Sequence, residues 1–187
     1  MLYSPKLRHG MAAAGLTLLL AYPPFSQPSS SPHDQQCRVG DRYLFGYLET
    51  VTGIDNQFDT QLTALVDSGS TTSSMDARDI TVRRMPNGTD WVRFTLLTDR
   101  DGQGKEVTLV KPIERFINVI THSGPPDRRP VIEATIELNN INVTTEFSLT
   151  SRAQFPQSIL LGRNTLDELA VIDTSRNFLL DQCLVSR

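Results

Sequence analysis

The chain has 187 residues, of which 39% are hydrophobic and 21% are charged, and its formal net charge is -3. This composition is typical of a globular protein with one domain or at most two small ones. Because the net charge is slightly negative and no basic run is interleaved with aromatic residues, we expect no nucleic acid partner.

The first part of the chain is typical of a secretory signal followed by a linker. Lys6 and Arg8 precede the apolar run MAAAGLTLLLAY, and a Pro- and Ser-rich stretch follows it. The run is too short to span a bilayer comfortably. We predict a signal peptide over 1–22, a linker over 23–42, a domain over 43–187 and a periplasmic or secreted location, with no membrane span in the mature chain. A stray apolar start on a cytosolic chain is the alternative.

The two cysteines, Cys37 and Cys183, stand at the two ends of the predicted domain. In an oxidising compartment they can close a very long loop, and two unrelated buried thiols are the alternative. Neither cysteine has a near neighbour of its kind, and the sequence contains no HExxH or CxxC pattern. We therefore predict no metal site and no cofactor.

From Tyr43 onwards the sequence is typical of β-structure. The runs RYLFGYLETVTG and FDTQLTALVD predict strands, and the second run ends at Asp67. WVRFTLLT and KEVTLVKPI flank DRDGQGK, while PVIEATIEL and VTTEFSLT flank NNIN, so each pair predicts a hairpin. QSILLG predicts a short strand that is buried on both faces.

The end of the chain predicts one short helix among strands. In RNTLDELAV the apolar residues Leu166, Leu169 and Ala170 fall at helical spacing. AVIDTS and NFLLDQCLV predict the last strands. Many short strands with one late helix indicate a mainly β barrel or sandwich.

A carboxylate directly after an apolar strand is the main candidate for chemistry. Burying an ionised group costs several kcal/mol unless it is paired or changes its pKa. A positioned Asp67 can activate water, and Gly69 permits a sharp turn beside it. Ser68 can supply a hydroxyl that holds neighbouring backbone. An ordinary turn is the alternative, because such tripeptides are common in turns.

A second segment, SILLGRNTL at 158–166, follows later in the chain. An apolar strand that ends at Gly162 and turns at once into a helix can lie beneath the Asp67 loop and support it. ALVDSGSTTS resembles the active-site strand and loop of retropepsins, the single-domain aspartic proteases of retroviral type. SILLGRNTL is similar to the apolar-apolar-Gly-Arg-Asn segment of the same enzymes.

The chain more closely resembles the bacterial retropepsin-like proteins often labelled "ATP-dependent zinc protease", and this resemblance covers about residues 43–181. Its motifs are WVRF at 91–94, RPVIE at 129–133, EFSLT at 146–150 with Arg152, LLGR at 160–163 and IDTSR at 172–176. No Walker-type loop and no cluster of metal ligands supports ATP or zinc as part of that label.

The resemblance implies a mainly β, retropepsin-like closed β-barrel, the acid protease fold, with one short C-terminal helix. It implies an aspartic endopeptidase that hydrolyses a peptide or protein substrate. It also implies that the catalytic residues are Asp67, Ser68 and Gly69. The residues implied to contact the substrate are Ser70, Thr71, Leu161 and Gly162.

Three departures from the family pattern bear on this function. Ser68 replaces the commoner Thr and keeps the hydroxyl. Thr71 stands where relatives have Arg or an acid, so Arg163 lacks the carboxylate that it pairs with in retroviral enzymes. Asp76 stands where relatives often carry His. The departures at Thr71 and Asp76 keep open an alternative, in which the same fold is a non-catalytic module for peptide binding or assembly.

Aspartic proteolysis needs two carboxylates that share a proton, because like charges about 3 Å apart cannot both ionise. The chain has one full Asp-Ser-Gly loop, and the rival Asp173-Thr174-Ser175 lacks the glycine. We interpret Asp173 as a strand or dimer-edge residue. The sequence thus predicts a twofold homodimer that brings Asp67 of each subunit to the axis.

In such a dimer an extended peptide lies across both subunits. The hairpin around DRDGQGK can cover the peptide as a flap, and a plain surface hairpin is the alternative. We expect Trp91 to lie in the core rather than against the substrate.

Overall fold

The computed structural model of the chain describes residues 38–55, 58–98, 105–120 and 125–184. In chain order the strands are β1 (Arg38–Val39), β2 (Arg42–Gly46), β3 (Leu48–Ile54), β4 (Phe58–Val66), β5 (Ser73–Asp76), β6 (Arg78–Arg84), β7 (Asp90–Leu97), β8 (Glu106–Pro112), β9 (Arg115–Val119), β10 (Asp127–Leu138), β11 (Ile141–Thr150), β12 (Ile159–Leu161) and β13 (Ala170–Asp173). The helices are α1 (Arg163–Leu166) and α2 (Leu179–Leu184). Three predicted parts lie outside the described residues. They are the signal peptide, the linker up to and including Cys37, and the tip of the predicted flap.

Six strands close into a barrel, which confirms the predicted fold class. Their order is β11-β5-β12-β4-β3-β10, and β10 pairs with β11 to complete the ring. Two neighbouring pairs, β4–β12 and β5–β11, are parallel. Because β4 and β12 lie side by side and run in the same direction, the segment that follows β4 lies next to the segment that follows β12.

The hairpin β10–β11 shows why the alternating pattern folds this way. Ala134, Ile136 and Leu138 are buried, whereas Glu133 before them is exposed and the residues between them, Thr135 and Glu137, are only partly buried. The turn contains Asn139 and Asn140, whose φ angles are 46° and 68°. Asparagine tolerates this left-handed conformation better than most residues do, so the predicted Asn-rich turn is confirmed.

A three-stranded sheet, β6-β7-β8, packs against the barrel by one face. Val92, Phe94 and Leu96 are buried in that face. Lys111 fixes the sheet further, since its Nζ lies 2.7 Å from Asp55 Oδ2 and donates to Glu133 O at 2.8 Å. The predicted hairpin of β7 and β8 is confirmed.

Strand β6 was not predicted, because only Ile80 and Val82 are apolar among its seven residues, all of which are exposed. The signal that could have found it is the turn at Asn87-Gly88, where Gly88 has a φ of 85°. Trp91, predicted to lie in the core, is only half-buried. Its neighbours Val92 and Phe94 supply the core contacts of β7 instead.

The prediction of a final strand over NFLLDQCLV is wrong, because Leu179–Leu184 forms the helix α2. Leu179 and Leu180 are both buried, and adjacent residues in a strand would point to opposite faces. The run RYLFGYLETVTG is also broken, into β2 and β3, at Tyr47. In the described part of the chain, neither helix has the length and hydropathy that a membrane crossing requires.

Glu49 joins the barrel to the end of the chain. Its side chain is fully buried in β3 and accepts hydrogen bonds from Gly46 N at 2.6 Å and from Leu180 N at 3.3 Å. Burial raises the pKa of Glu49 to about 7, and the nearby charge of Asp181 acts in the same direction. The two backbone N–H groups oppose this shift because they favour the ionised carboxylate.

We expect Glu49→Gln to remove a pH-dependent part of the stability. The wild-type carboxyl holds its proton in the folded chain from its ordinary pKa of 4.5 up to about 7, whereas the unfolded chain releases it. The stability that Glu49 contributes is therefore fully present below pH 4.5 and is lost as the pH rises through about 7. The melting temperature of the variant relative to wild type should rise across this window and level off above it. A difference that does not change with pH would contradict the assignment.

Candidate active site

The carboxylate of Asp67 is held by its own loop. It is half-buried at the end of β4, where Oδ1 accepts a hydrogen bond from Gly69 N at 2.9 Å and Oδ2 accepts one from the Ser70 hydroxyl at 2.9 Å. The backbone N–H of Asp67 donates to Leu161 O at 2.9 Å. Both carboxylate oxygens and the backbone therefore have defined partners, so the direction of the side chain is set before any ligand arrives.

Residue 69 needs to be glycine because the carboxylate lies so close. A Cβ atom at this position would lie 3.0 Å from Asp67 Oδ1. Such a distance is tighter than ordinary van der Waals contact, so a side chain would displace the carboxylate or its hydrogen bond from the backbone. Ser68 and Gly69 are exposed, and they form the outer rim of the loop.

The turn after β12 supports the loop from below. Gly162 N donates to the Ser73 hydroxyl at 2.9 Å, and a Cβ at position 162 would lie 2.8 Å from the backbone carbon of Thr72. The side chain of Leu161 is fully buried. Leu161 and Gly162, which were predicted to contact substrate, thus lie within the protein and contact the underside of the loop.

Asn164 connects three elements at this point. Its Oδ1 accepts hydrogen bonds from Ser73 N at 2.7 Å and from the Ser73 hydroxyl at 2.9 Å. Its Nδ2 donates to Glu146 O at 2.8 Å and to Thr145 Oγ1 at 3.2 Å. Ser73 and Asn164 were not predicted as site residues. The Gly-Arg-Asn pattern was the available signal for Asn164, whereas nothing local marks Ser73.

Arg163 takes backbone partners in place of the missing carboxylate. Its Nη1 donates to Ser68 O at 2.9 Å and to Gly69 O at 3.1 Å, and its Nη2 donates to Thr71 Oγ1 at 2.9 Å. Its own backbone N–H donates to Ser70 O at 2.9 Å. The guanidinium group thus spans the Asp67 loop, and the hydroxyl of Thr71 is one of its partners.

Asp76, the other departure, is a buried structural residue. Its Oδ1 accepts a hydrogen bond from Arg152 N at 2.5 Å. The Arg152 side chain is buried and donates to Ser74 Oγ at 3.0 Å and to Gln157 O at 3.1 Å. These contacts hold β5 against the loop that precedes β12.

Asp173 ends a strand of a different sheet. It closes β13, which pairs with β2, whereas Asp67 follows β4 of the barrel. Its Oδ1 accepts hydrogen bonds from the Ser175 hydroxyl at 2.6 Å and from Ser175 N at 3.0 Å. These bonds, with a smaller effect of the Arg176 charge, lower the pKa of Asp173 below its ordinary value. It therefore has a local turn role within the subunit.

Comparisons with known proteins agree with this geometry. A sequence profile of the RimB-like family, described as "Retropepsin-like aspartic endopeptidase RimB", matches residues 46–182. A crystal structure of a Legionella pneumophila protein of unknown function superposes with a TM-score of 0.60 at 25% identity, over 73% of this chain and 97% of that one.

Two curated relatives, from Shewanella pealeana and Shewanella halifaxensis, each bear the name "Probable alpha-L-glutamate ligase". Each is 29% identical to this chain over 119 residues, a match that covers 64% of this chain and 26% of the relative. The chain therefore spans about a quarter of the length of these relatives.

We expect Arg163→Gln to loosen the Asp67 loop without unfolding the barrel. The change removes the guanidinium bonds to the carbonyls of Ser68 and Gly69, and each such bond contributes about 0.5–1.5 kcal/mol. Hydrogen exchange at the amides of Gly69 and Ser70 should become faster by about tenfold. Arg176→Gln, a change of another exposed arginine that lies outside the loop, is the control. Equal protection of these amides in both variants would contradict the proposed role.

Proposed function

Because the chain belongs to the RimB-like family of retropepsin-like aspartic endopeptidases, we propose that it hydrolyses peptide bonds with Asp67 as the catalytic residue. The observation that carries this proposal is the Asp67 carboxylate itself. It is half-buried at a strand end and is held by the N–H of Gly69 and the hydroxyl of Ser70. An aspartate fixed in this way can bind and activate a water molecule.

We propose that the second carboxylate comes from a second copy of the chain. The sequence contains one full Asp-Ser-Gly loop, and an aspartic protease needs a pair of acids. In a twofold homodimer each subunit supplies Asp67. Ser68 is exposed in the single chain, as a residue at a subunit interface would be, while Arg163 holds its carbonyl group.

The proposed reaction uses the two acids in different protonation states. The ionised Asp67 takes a proton from water, whose oxygen attacks the carbonyl carbon of the peptide bond. The partner's Asp67 gives its proton to the carbonyl oxygen. As the C–N bond of the tetrahedral diol breaks, Asp67 passes the proton that it took from water to the leaving nitrogen, and a hydroxyl of the diol returns its proton to the partner's Asp67.

The other residues of the proposed site have one of two roles: they contact the substrate, or they hold the Asp67 loop in place. We propose that Ser70 and Thr71, at the outer side of the loop, contact the substrate backbone. Leu161 and Gly162 hold the loop from within, because neither offers an exposed side chain. Arg163 is a positioning residue, since it acts on Asp67 through the backbone of the loop.

The alternative function is that of a non-catalytic module with the same fold. It is suggested by the departures from the family pattern at Thr71 and Asp76. Both residues have contacts that preserve the loop. Thr71 accepts from Arg163, and Asp76 accepts from the backbone of Arg152. Neither departure removes a bond to Asp67, which favours the enzyme over the module.

We expect Asp67→Asn to reduce peptide cleavage by roughly 10²–10⁴-fold, because the amide cannot accept the proton of water. The substrate panel should contain neutral extended peptides and peptides rich in L-glutamate, the latter because of the name that the curated relatives bear. The variant should keep the mass of a dimer in light scattering, since asparagine has nearly the size and shape of aspartate and can still form a hydrogen bond with its counterpart at the axis.

Asp173→Asn is the matched control, because Asp173 also ends a strand before a Ser/Thr turn. It should keep its activity. Cleavage that survives Asp67→Asn, or that is lost in both variants, would exclude the proposed catalytic residue. A fully active protein with the mass of one chain would exclude the shared site.

We also propose that the protein acts in the periplasm or outside the cell, after removal of residues 1–22. Support comes from the basic start, the apolar run and the Pro- and Ser-rich stretch in the sequence. Expression of the full chain should yield an exported form whose N-terminal sequence begins near residue 23. An intact chain recovered only from the cytosol would contradict this location.

A further inference from the structure

The outer face of the β6-β7-β8 sheet carries a groove that has no part in the proposed site. Its volume is about 540 Å³. The opposite face of the same sheet packs against the barrel through residues of β7, so only the outer face is open. The residues that line the groove are Thr81, Arg83, Met85, Trp91, Arg93 and Val110.

The strand register places these side chains in two rows. Arg83 lies opposite Trp91, and Thr81 lies opposite Arg93, which in turn lies opposite Val110. Directly opposed residues of antiparallel strands point to the same face of a sheet. The indole of Trp91 therefore has one guanidinium group across from it and another two residues along its own strand.

Trp91 presents an apolar surface to the groove. Its Nε1 donates to Thr89 Oγ1 at 3.1 Å, so its polar edge is already bonded to its own strand end. Met85 and Val110 are 43% and 56% exposed. Three apolar side chains of different elements thus converge on the open face, where they contribute nothing to the core.

The charges of the groove are not compensated. Arg84 lies 3.5 Å from Asp90, and Arg78 lies 3.9 Å from Glu106, so the neighbouring arginines of β6 have acidic partners. Arg83 and Arg93 are exposed, and neither forms an ion pair with any residue that the structure describes. The groove therefore combines an apolar floor with two guanidinium groups that have no acidic partner in the described part of the chain, and the net charge of the whole chain is -3.

We propose that this groove binds an acidic peptide segment of a partner protein, with carboxylates on Arg83 and Arg93 and an apolar side chain against Trp91. Guanidinium groups bind carboxylates through two parallel hydrogen bonds. Tryptophan and arginine are also the side chains that most often dominate protein interfaces. Strand β6 lies at the edge of its sheet, so an extended segment can run along it.

The test uses the fluorescence of Trp91, which is the only tryptophan of the chain. The full chain carrying Asp67→Asn is titrated with a ten-residue peptide of Asp and Glu around a central Leu. A second peptide replaces each acid by Asn or Gln. Docking does not require cleavage, so this background separates the result from the proposed proteolysis.

The acidic peptide should give a saturable change in Trp91 emission, with a Kd at least about tenfold lower than that of the neutral peptide, and added salt should weaken it. The double change Arg83→Gln and Arg93→Gln should raise the Kd by at least about tenfold. Arg84→Gln, on the neighbouring and ion-paired arginine, is the matched control and should leave the Kd within about twofold. All variants should keep the wild-type melting temperature.

Equal binding of both peptides, or an equal loss of affinity in the Arg84 variant, would overturn the proposal. So would a change in Trp91 emission that depends on protein concentration alone and disappears in the double variant. That result would mean that a second copy of the chain occupies the groove.

Discussion

The close approach of Gly162 to the backbone of Thr72 and Ser73 is the constraint on which the candidate site depends. A Cβ at residue 162 would lie 2.8 Å from the Thr72 carbonyl carbon, so only a hydrogen atom fits there. This contact lets Gly162 N reach the Ser73 hydroxyl at 2.9 Å and brings Asn164 within reach of the Ser73 backbone. The loop that begins at Asp67 is thereby held between two parallel strand pairs, and its carboxylate receives a fixed direction.

Polar contacts at the rim of the site hold the Asp67 loop in place. Arg163 bonds two carbonyl groups and the hydroxyl of Thr71, and these bonds restrain the outer side of the loop. Asp76 accepts from the backbone of Arg152 in a buried position, where an unpartnered carboxylate would be costly.

The candidate active site lies on the barrel, whereas the groove lies on the attached β6-β7-β8 sheet. Closure of the six barrel strands satisfies their edges, and it provides a rigid support for the Asp67 loop. The β6-β7-β8 sheet is joined to the barrel by one apolar face and by the ion pair of Lys111 with Asp55. Its other face is exposed and carries Arg83 and Arg93 beside Trp91. The proposed docking groove and the proposed active site therefore lie on different parts of the fold.

The sequence by itself determined the mainly β class and the Asn-rich hairpin, and it predicted that the strand end at Gly162 lies beneath the Asp67 loop, because alternation, turn residues and strand-end glycines are local signals. Only the tertiary structure decided which atoms Arg163 bonds, that Trp91 lies on an open face, and that the last segment forms a helix. Each of these depends on residues that are distant in the chain. Alternation of apolar and polar residues predicts that one side of a strand is buried. Which elements cover that side depends on how the strands pair when the barrel closes. The helix at the C-terminus shows the same limit, since the buried carboxylate of Glu49, which accepts from Leu180 N, comes from the opposite end of the domain.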